Sequence, residues 1–260
     1  MPADTAKLAP SILTLARKAE AAIMAVYATA FEQRAKQDAS PVTDADEQAE
    51  AIILAGLKSL TPDIPVVAEE QAARGETPDV MGNRFWLVDP LDGTREFVDR
   101  NGEFTVNIAL IDHGMPVLGV VTAPALGLAW IGHAGGAWRH EGDTVTAIRA
   151  RPVPSRGAHV LVSRNHIDRE VAGWLKQQPD CTTRTVGSSL KFCRIAEGTA
   201  DLYPRFASIS EWDTAAGQAV LEAAGGAVVT WQGERLLYGK PGFRNPGYLA
   251  RGAALINGRS

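Results

Sequence analysis

With 260 residues, 45% of them hydrophobic and 22% charged, the chain has an ordinary globular composition, long enough for one large domain or two halves that share a core. Lys and Arg total 26 against 30 Asp and Glu, a formal charge of -4, which excludes the broad basic field that draws in nucleic-acid polymers or anionic membranes. Only Cys181 and Cys193 occur. Without a Cys-x-x-Cys or paired histidines they fit neither a zinc site nor a disulfide scaffold, so two buried thiols in a reducing, cytoplasmic compartment are expected. Met1 to Lys7 lack the basic and apolar segments of a secretory signal. Gly114 to Trp138 contains no Asp, Glu, Lys or Arg, but Pro124 and six glycines interrupt it, so adjacent strands are expected there and no transmembrane segment.

Leu8, Ile12, Leu15, Ala19, Ile23 and Val26 recur at three- and four-residue steps, which predicts an amphipathic helix from about Asp4 to Glu32. A polar connection, Lys36 to Pro41, leads to Thr43 or Asp44 as the N-cap of a second helix running through Leu60, with an acidic first turn that suits the helix dipole. Pro65 to Ala68 reads as a short buried strand ending on Glu69-Glu70. The apolar run Phe85 to Val88 reads as a second strand that delivers Asp89-Pro90-Leu91-Asp92-Gly93-Thr94. Thr105 to Ile111, a turn of Asp112-His113-Gly114 and Val117 to Thr122 form an expected hairpin, with further strands around Ala129 to Ile131 and Ala137-Trp138.

From about Arg151 strands and helices alternate. His159 to Val162, Thr182 to Val186 and Ala200 to Tyr203 read as strands. Asp168 to Gln177, Ser188 to Glu197 and Trp212 to Ala224 read as helices. The alternation predicts a layered α/β half, and places a division into residues 1–150, an N-terminal α+β half with an antiparallel sheet, and 151–260, a C-terminal α/β half.

The motif after Val88 carries the chemistry. Pro90 fixes its own φ, has no N–H and pushes Asp89 toward an extended conformation. Gly93 allows a sharp turn, and Thr94 to Phe97 can open a helix whose free N–H groups point at an anion. Asp89, Asp92 and the Leu91 carbonyl then supply hard oxygen ligands suited to Mg²⁺ or Mn²⁺. A calcium-binding EF-hand loop needs carboxylates two residues apart, and these are three apart; the Asp-x-Asp of haloacid-dehalogenase phosphatases fails for the same reason. Taken singly, the Asp-Gly is a common surface turn, Glu69-Glu70 a solvated pair, and Asp213 a helix cap.

The set Glu69-Glu70, Asp89 to Thr94 and Trp212-Asp213-Thr214-Ala215-Ala216-Gly217 resembles the inositol monophosphatase superfamily of lithium-sensitive, Mg²⁺-dependent phosphatases. Ser40 to Asp46, Arg95-Glu96-Phe97, Asn101 to Ile111, Gly187 to Cys193 and Leu202 to Phe206 resemble its bacterial CysQ branch of 3'(2'),5'-bisphosphate nucleotidases, which cleave adenosine 3',5'-bisphosphate to AMP and phosphate and clear a by-product of sulfate assimilation. The resemblance implies the layered αβαβα sandwich of the sugar-phosphatase type, shared with fructose-1,6-bisphosphatase. It also implies most metal ligands in residues 1–150, and the substrate pocket with the last metal-ligand Asp in residues 151–260.

By position, the resemblance implies that Glu69, Asp89 and the Leu91 carbonyl hold one metal, and that Asp89, Asp92 and Asp213 hold a second. Asp46 would sit near a third, weaker metal or its water, and would orient Thr94 to position and help deprotonate the attacking water. Two cations a few Å apart activate water and stabilise the leaving oxygen. The N–H groups of Gly93 and Thr94 would bind phosphate. Lys191 and Arg205 would meet the second phosphate, and Ser163 to His166 would line the nucleotide pocket. Where the inositol-specific branch has an acidic residue seven before Asp213, this chain has Phe206 after Arg205, a cation and an aromatic suited to a nucleotide phosphate and base. Ala68 is a departure: related sequences often carry Ser or Gly before the Glu pair. The expected substrate is a small-molecule nucleotide bisphosphate, with inositol monophosphate or another sugar phosphate as the alternative; a non-catalytic nucleotide sensor is disfavoured because Glu69, Asp92 and Thr94 are all present. A monomer or homodimer is expected, with peripheral association at the inner face of the cell membrane implied for the family.

Overall fold

The computed structural model describes residues 2–30, 34–35, 41–80, 84–164 and 169–254. α1 (Pro2–Tyr27) buries Ile12, Leu15, Ala16, Ala19 and Ile23, the stripe anticipated from the sequence. It stops five residues earlier than expected because both the N–H and the Oγ1 of Thr29 donate to the Val26 carbonyl, closing the last turn. β1 (Arg34–Ala35) and β2 (Pro41–Val42) pair antiparallel. α2 (Asp44–Leu60) starts at a capping box: Thr43 Oγ1 accepts the Ala45 N–H at 3.2 Å, and Asp46 Oδ2 accepts the Thr43 N–H at 2.8 Å, which satisfies N–H groups the helix itself leaves open.

Next come β3 (Val66–Ala68), α3 (Glu69–Ala73), β4 (Phe85–Asp92), α4 (Thr94–Val98), β5 (Thr105–Asp112), β6 (Met115–Ala123), β7 (Leu128–His133), β8 (Gly136–Glu141) and β9 (Thr144–Ile148). These strands form one seven-stranded sheet in sequence order, with β3 parallel to β4 and the remaining neighbours antiparallel. The β5–β6 turn is tighter than anticipated. His113 and Gly114 alone connect the strands, both at positive φ (49° and 75°), the two-residue geometry that matches strand twist.

The second sheet is built from β10 (His159–Val162), β11 (Thr182–Thr185), β12 (Leu202–Arg205), β14 (Ala227–Thr230) and β16 (Tyr248–Arg251), in the order β11-β10-β12-β16-β14. The interspersed elements are α5 (Arg169–Leu175), α6 (Leu190–Ala196), the short pair β13 (Ile209–Ser210) and β15 (Arg244–Asn245), and α7 (Trp212–Ala223). α6 starts two residues after the expected Ser188, which sits at φ 45°, while the Ser189 N–H is drawn to a side chain elsewhere. β9, β13 and β15 are exposed or two residues long, too weak a pattern to read from sequence.

Strand alternation sets the layering. Along β4, Trp86 and Val88 pack with Ile12, Ile23 and Ile53 from α1 and α2, whereas Phe85 and Leu87 face a second core. Buried on both faces, β4 has to be apolar at every position, which is why it reads as a continuous run. That second core contains Val121 and Trp130 of the first sheet, Phe192, Ala216 and Val220 of α6 and α7, and Leu161, Tyr203 and Tyr248 of the second sheet. α5 covers the outer face of the second sheet through Val171, Trp174 and Leu175 on Val160, Val162 and Leu202. The layers therefore run helix, sheet, helix, sheet, helix. α7 approaches the first sheet closely: a Cβ on Gly119 would stand 2.4 Å from the Ala216 carbonyl oxygen. Cys193 is buried as expected, but Cys181 is only partly so. Among the described residues no helix is long and apolar enough to cross a membrane.

Candidate active site

β4 delivers Asp89 with its side chain fully enclosed. Beyond it the ladder to β5 slips: Asp89 pairs with Asn107, but Asp92 pairs with Thr105, so three steps on β4 match two on β5. Pro90, with no N–H to give, falls inside this bulge. The Leu91 N–H turns back onto Asp89 Oδ1 at 3.0 Å. Gly93 then takes φ 87°, a left-handed conformation that a side chain would strain, and the chain turns directly into α4. Thr94, its first residue, has Oγ1 3.3 Å from the Leu91 carbonyl oxygen and 3.4 Å from Asp46 Oδ1. Asp46 is held by its other oxygen, which accepts both the N–H and the Oγ1–H of Thr43 at 2.8 Å.

β3 runs parallel to β4 with Ala68 beside Val88, so Glu69, the next residue, arrives beside Asp89. Asp213, in the first turn of α7, comes from the other half of the chain. One carboxylate oxygen from each of Glu69, Asp89 and Asp213 lies within 4.8 Å of the other two. Asp92 is not in this trio. Its Oδ2 accepts the Ser189 N–H at 2.6 Å, and its charge reaches Asp213. Burial, then the charges of Asp92 and Glu69, push Asp213 well above the carboxylate range. Burial raises Asp92 to about 6 against the pull of Lys191. Burial also raises Asp46 to about 7, outweighing its Thr43 hydrogen bonds.

With Asp89 buried and Glu69 and Asp213 half-buried beside it, carboxylates crowded in this way are unfavourable as anions unless a cation joins them. The trio offers only oxygen donors, the set that suits a hard divalent ion and not zinc or copper. The residues present therefore fit a divalent metal.

A cavity of about 210 Å³ opens over these groups. Of the residues singled out from sequence, Glu69, Asp92, Gly93, Thr94, Ser163, Lys191, Arg205 and Asp213 line it, while Asp46, Asp89 and Leu91 lie beneath. Lys191 Nζ donates to the carbonyls of Val186 (3.1 Å) and Ser188 (2.6 Å) and sits 5.0 Å from the Tyr203 ring centroid. It is anchored, with one N–H left for a ligand. Ser163 Oγ is 3.5 Å from the Tyr203 hydroxyl. His166 lies outside the described residues.

Phe206 departs from expectation. Successive strand residues point to opposite faces, so with Arg205 turned to the cavity, Phe206 goes to the outer face. There it stacks on Trp231 at 4.1 Å and 9°, away from the cavity lining. Arg164, from the 163–166 stretch singled out from sequence, lines the cavity too, whereas Arg95, Glu96, Tyr203 and Tyr248, which also line it, were not named as site residues. Arg95 and Glu96 were legible only as neighbours of the motif, and the others carried no signal. The lining thus holds four acids (Glu69, Asp92, Glu96, Asp213) and four bases (Arg95, Arg164, Lys191, Arg205).

Residues 4–256 match the model of the Inositol monophosphatase family. The chain is 51% identical over 240 residues to the 3'(2'),5'-bisphosphate nucleotidase CysQ of Salmonella typhimurium, covering 91% of this chain and 96% of that protein, and 49% identical to that of Escherichia coli K12 over the same shares. The crystal structure of CysQ from Bacteroides thetaiotaomicron superposes with a TM-score of 0.78 at 33% identity, covering 95% of this chain and 97% of that one. A Thermotoga maritima inositol monophosphatase superposes at 0.76 with 26% identity, covering 92% and 89%. With its carboxylate trio, its five-layer fold and these relatives, the chain belongs to the inositol monophosphatase family.

Proposed function

We propose that the protein is a Mg²⁺-dependent 3'(2'),5'-bisphosphate nucleotidase that hydrolyses adenosine 3',5'-bisphosphate to AMP and phosphate. The observation that carries the reading is the composition of one cavity: three carboxylates within 4.8 Å at its floor and four bases around its wall. Divalent ions at the floor would neutralise the phosphate being cut, while the bases add positive charge that a bisphosphate needs and a monophosphate does not. Similarity to the curated nucleotidases supports the same substrate.

Glu69, Asp89, the Leu91 carbonyl, Asp92 and Asp213 would hold the ions, which when bound supply electrostatic stabilisation and a more acidic water. Thr94 positions that water through Oγ1. Asp46, 3.4 Å away, receives the Thr94 hydroxyl proton when Thr94 accepts one from the water. The backbone N–H groups of Gly93 and Thr94 would bind the scissile phosphate. Lys191 and Arg205 take the second phosphate, with Ser163 toward the nucleoside. Residues 1–150 supply most of the metal ligands, and residues 151–260 supply the substrate pocket and Asp213. In the cell the enzyme would act in the cytoplasm, as a monomer or homodimer, clearing the bisphosphate left by sulfate assimilation, and would be inhibited by lithium.

The deciding experiment measures phosphate release from adenosine 3',5'-bisphosphate, inositol 1-phosphate and fructose 1,6-bisphosphate, with Mg²⁺ and with or without lithium. Preference for the adenosine bisphosphate with lithium inhibition is expected. No release from it would sink the reading, and faster release from inositol phosphate would reassign the substrate.

A further inference from the structure

α3 is only five residues long, yet it carries Glu69 at its first position. Its N-cap residue, Ala68, has the extended backbone of a capping residue (φ -121°, ψ 150°) but no side-chain oxygen with which to cap. A first-turn N–H left open in a buried place is unfavourable. The missing acceptor comes from another helix. Glu50 of α2, one turn after Asp46 and 2% exposed, accepts the Glu70 N–H on Oε2 at 2.7 Å. Its Oε1 lies 3.3 Å from Arg74, which follows the last residue of α3.

We propose that Glu50 is a positioning residue for the cation site, a cap supplied in trans that fixes the peptide between Glu69 and Glu70 and so sets where the Glu69 carboxylate points. One face of α2 then orders two parts of the site, Thr94 through Asp46 and Glu69 through Glu50. The geometry also accounts for an alanine serving as the N-cap residue: the cap that a serine would give locally is already provided by Glu50. Partners of this kind typically change metal affinity by about 10- to 100-fold when removed.

The test is Mn²⁺ binding without substrate, followed by the loss of the free-ion electron paramagnetic resonance signal, on the wild type, Glu50→Gln, Glu50→Ala and the double variant Glu50→Ala/Ala68→Ser. Melting temperatures in chelator are recorded alongside. Glu50→Ala should weaken Mn²⁺ binding about tenfold or more, Glu50→Gln, which keeps an acceptor oxygen, should stay within about threefold of the wild type, and the double variant should recover most of the loss. A purely structural Glu50 would lower the melting temperature and leave Mn²⁺ affinity unchanged in the folded protein, which would overturn the proposal. So would a folded double variant no better than Glu50→Ala. If Glu50→Ala does not fold, the double variant decides: recovery of folding and Mn²⁺ binding supports the cap, and failure of both overturns it. The proposal rests on reading Glu69, Asp89 and Asp213 as a cation site. A wild type that binds no Mn²⁺ would sink that reading, whereas the variants test the cap alone.

Discussion

The Ser189 backbone N–H donates to the Asp92 carboxylate at 2.6 Å across 97 residues of chain. The same serine donates its hydroxyl proton to Asn107 Oδ1 at 2.6 Å and lies 2.8 Å from Thr105 Oγ1. The loop before α6 is thereby bonded to both β4 and β5, and the orientation of Asp92 depends on the second half of the chain. Replacing Asp92 with Asn keeps this hydrogen bond but removes the charge, so turnover should fall on the order of 10³-fold with little loss of stability. Replacing Ser189 with Ala should do the reverse first, lowering the unfolding free energy by about 1–3 kcal/mol because buried partners lose their bonds. Denaturant titration and initial rates on the two variants check the contrast.

Thr94 sits between two acceptors, the Leu91 carbonyl and Asp46 Oδ1, but has one proton to give. Thr94→Val should reduce turnover by about 10²- to 10⁴-fold, the range for losing a positioned proton-transfer group, with the KM for substrate changed far less. Thr94→Ser should retain most activity. Equal activity in Thr94→Val and wild type would remove Thr94 from the chemistry.

Lys191 is anchored by two backbone carbonyls as well as facing the cavity, so its replacement should have two separable effects. Lys191→Met should raise the KM for adenosine 3',5'-bisphosphate by about tenfold or more, the worth of one charge-assisted hydrogen bond, while turnover of inositol 1-phosphate changes little. It should also lower the melting temperature, because the Val186 and Ser188 carbonyls lose their donor. A matching KM change on both substrates would place Lys191 at the scissile phosphate.

Cation removal couples to pH. Burial raises Asp46 and Glu50 to about 7 and Asp92 to about 6, against ordinary values of 3.8, 4.5 and 3.8. Their folded-state pKa values lie above the unfolded ones, so the stability they contribute is fully present below about pH 4 and is lost as pH rises through about 6 to 7. Chelator-treated protein should therefore lose unfolding free energy from these groups between about pH 4 and pH 7. Mg²⁺ should offset the share of Asp92, the one of the three proposed as a ligand, and release protons on binding, which calorimetry in buffers of different ionisation enthalpy will detect.

Arg151 and Asp201 form a two-pronged pair at 2.7 and 2.8 Å, and Asp201 also accepts the His159 N–H at 2.7 Å. Burial pushes Asp201 up, but the Arg151 hydrogen bond and the His159 N–H more than offset it, and its pKa is lowered. Its contribution is therefore present above the ordinary pKa of 3.8 and lost as pH falls through the lower folded value. Asp201→Asn should destabilise by about 2 kcal/mol at pH 7, and the difference from wild type should shrink in acid unfolding experiments below about pH 4.

The local parts of the site were legible in short stretches of the chain. The apolar β4 run, the proline that cannot pair, the glycine that turns left-handed and the Thr43 N-cap are short-range physics, and each is found where the residues demand it. The α1 stripe was legible for the same reason, since a helical repeat survives over three or more turns. The tertiary structure alone decided what meets what. Parallel pairing of β3 with β4 brings Glu69 beside Asp89, and the first turn of α7 adds Asp213 from more than a hundred residues away. Strand alternation removes Phe206 from the cavity that Arg205 enters. Glu50 becomes a cap only because α2 lies against α3, and Lys191 is fixed only because the 186–188 backbone curls over it. Such contacts depend on packing and register between distant segments, and the physical pattern of a single segment carries no record of its partner.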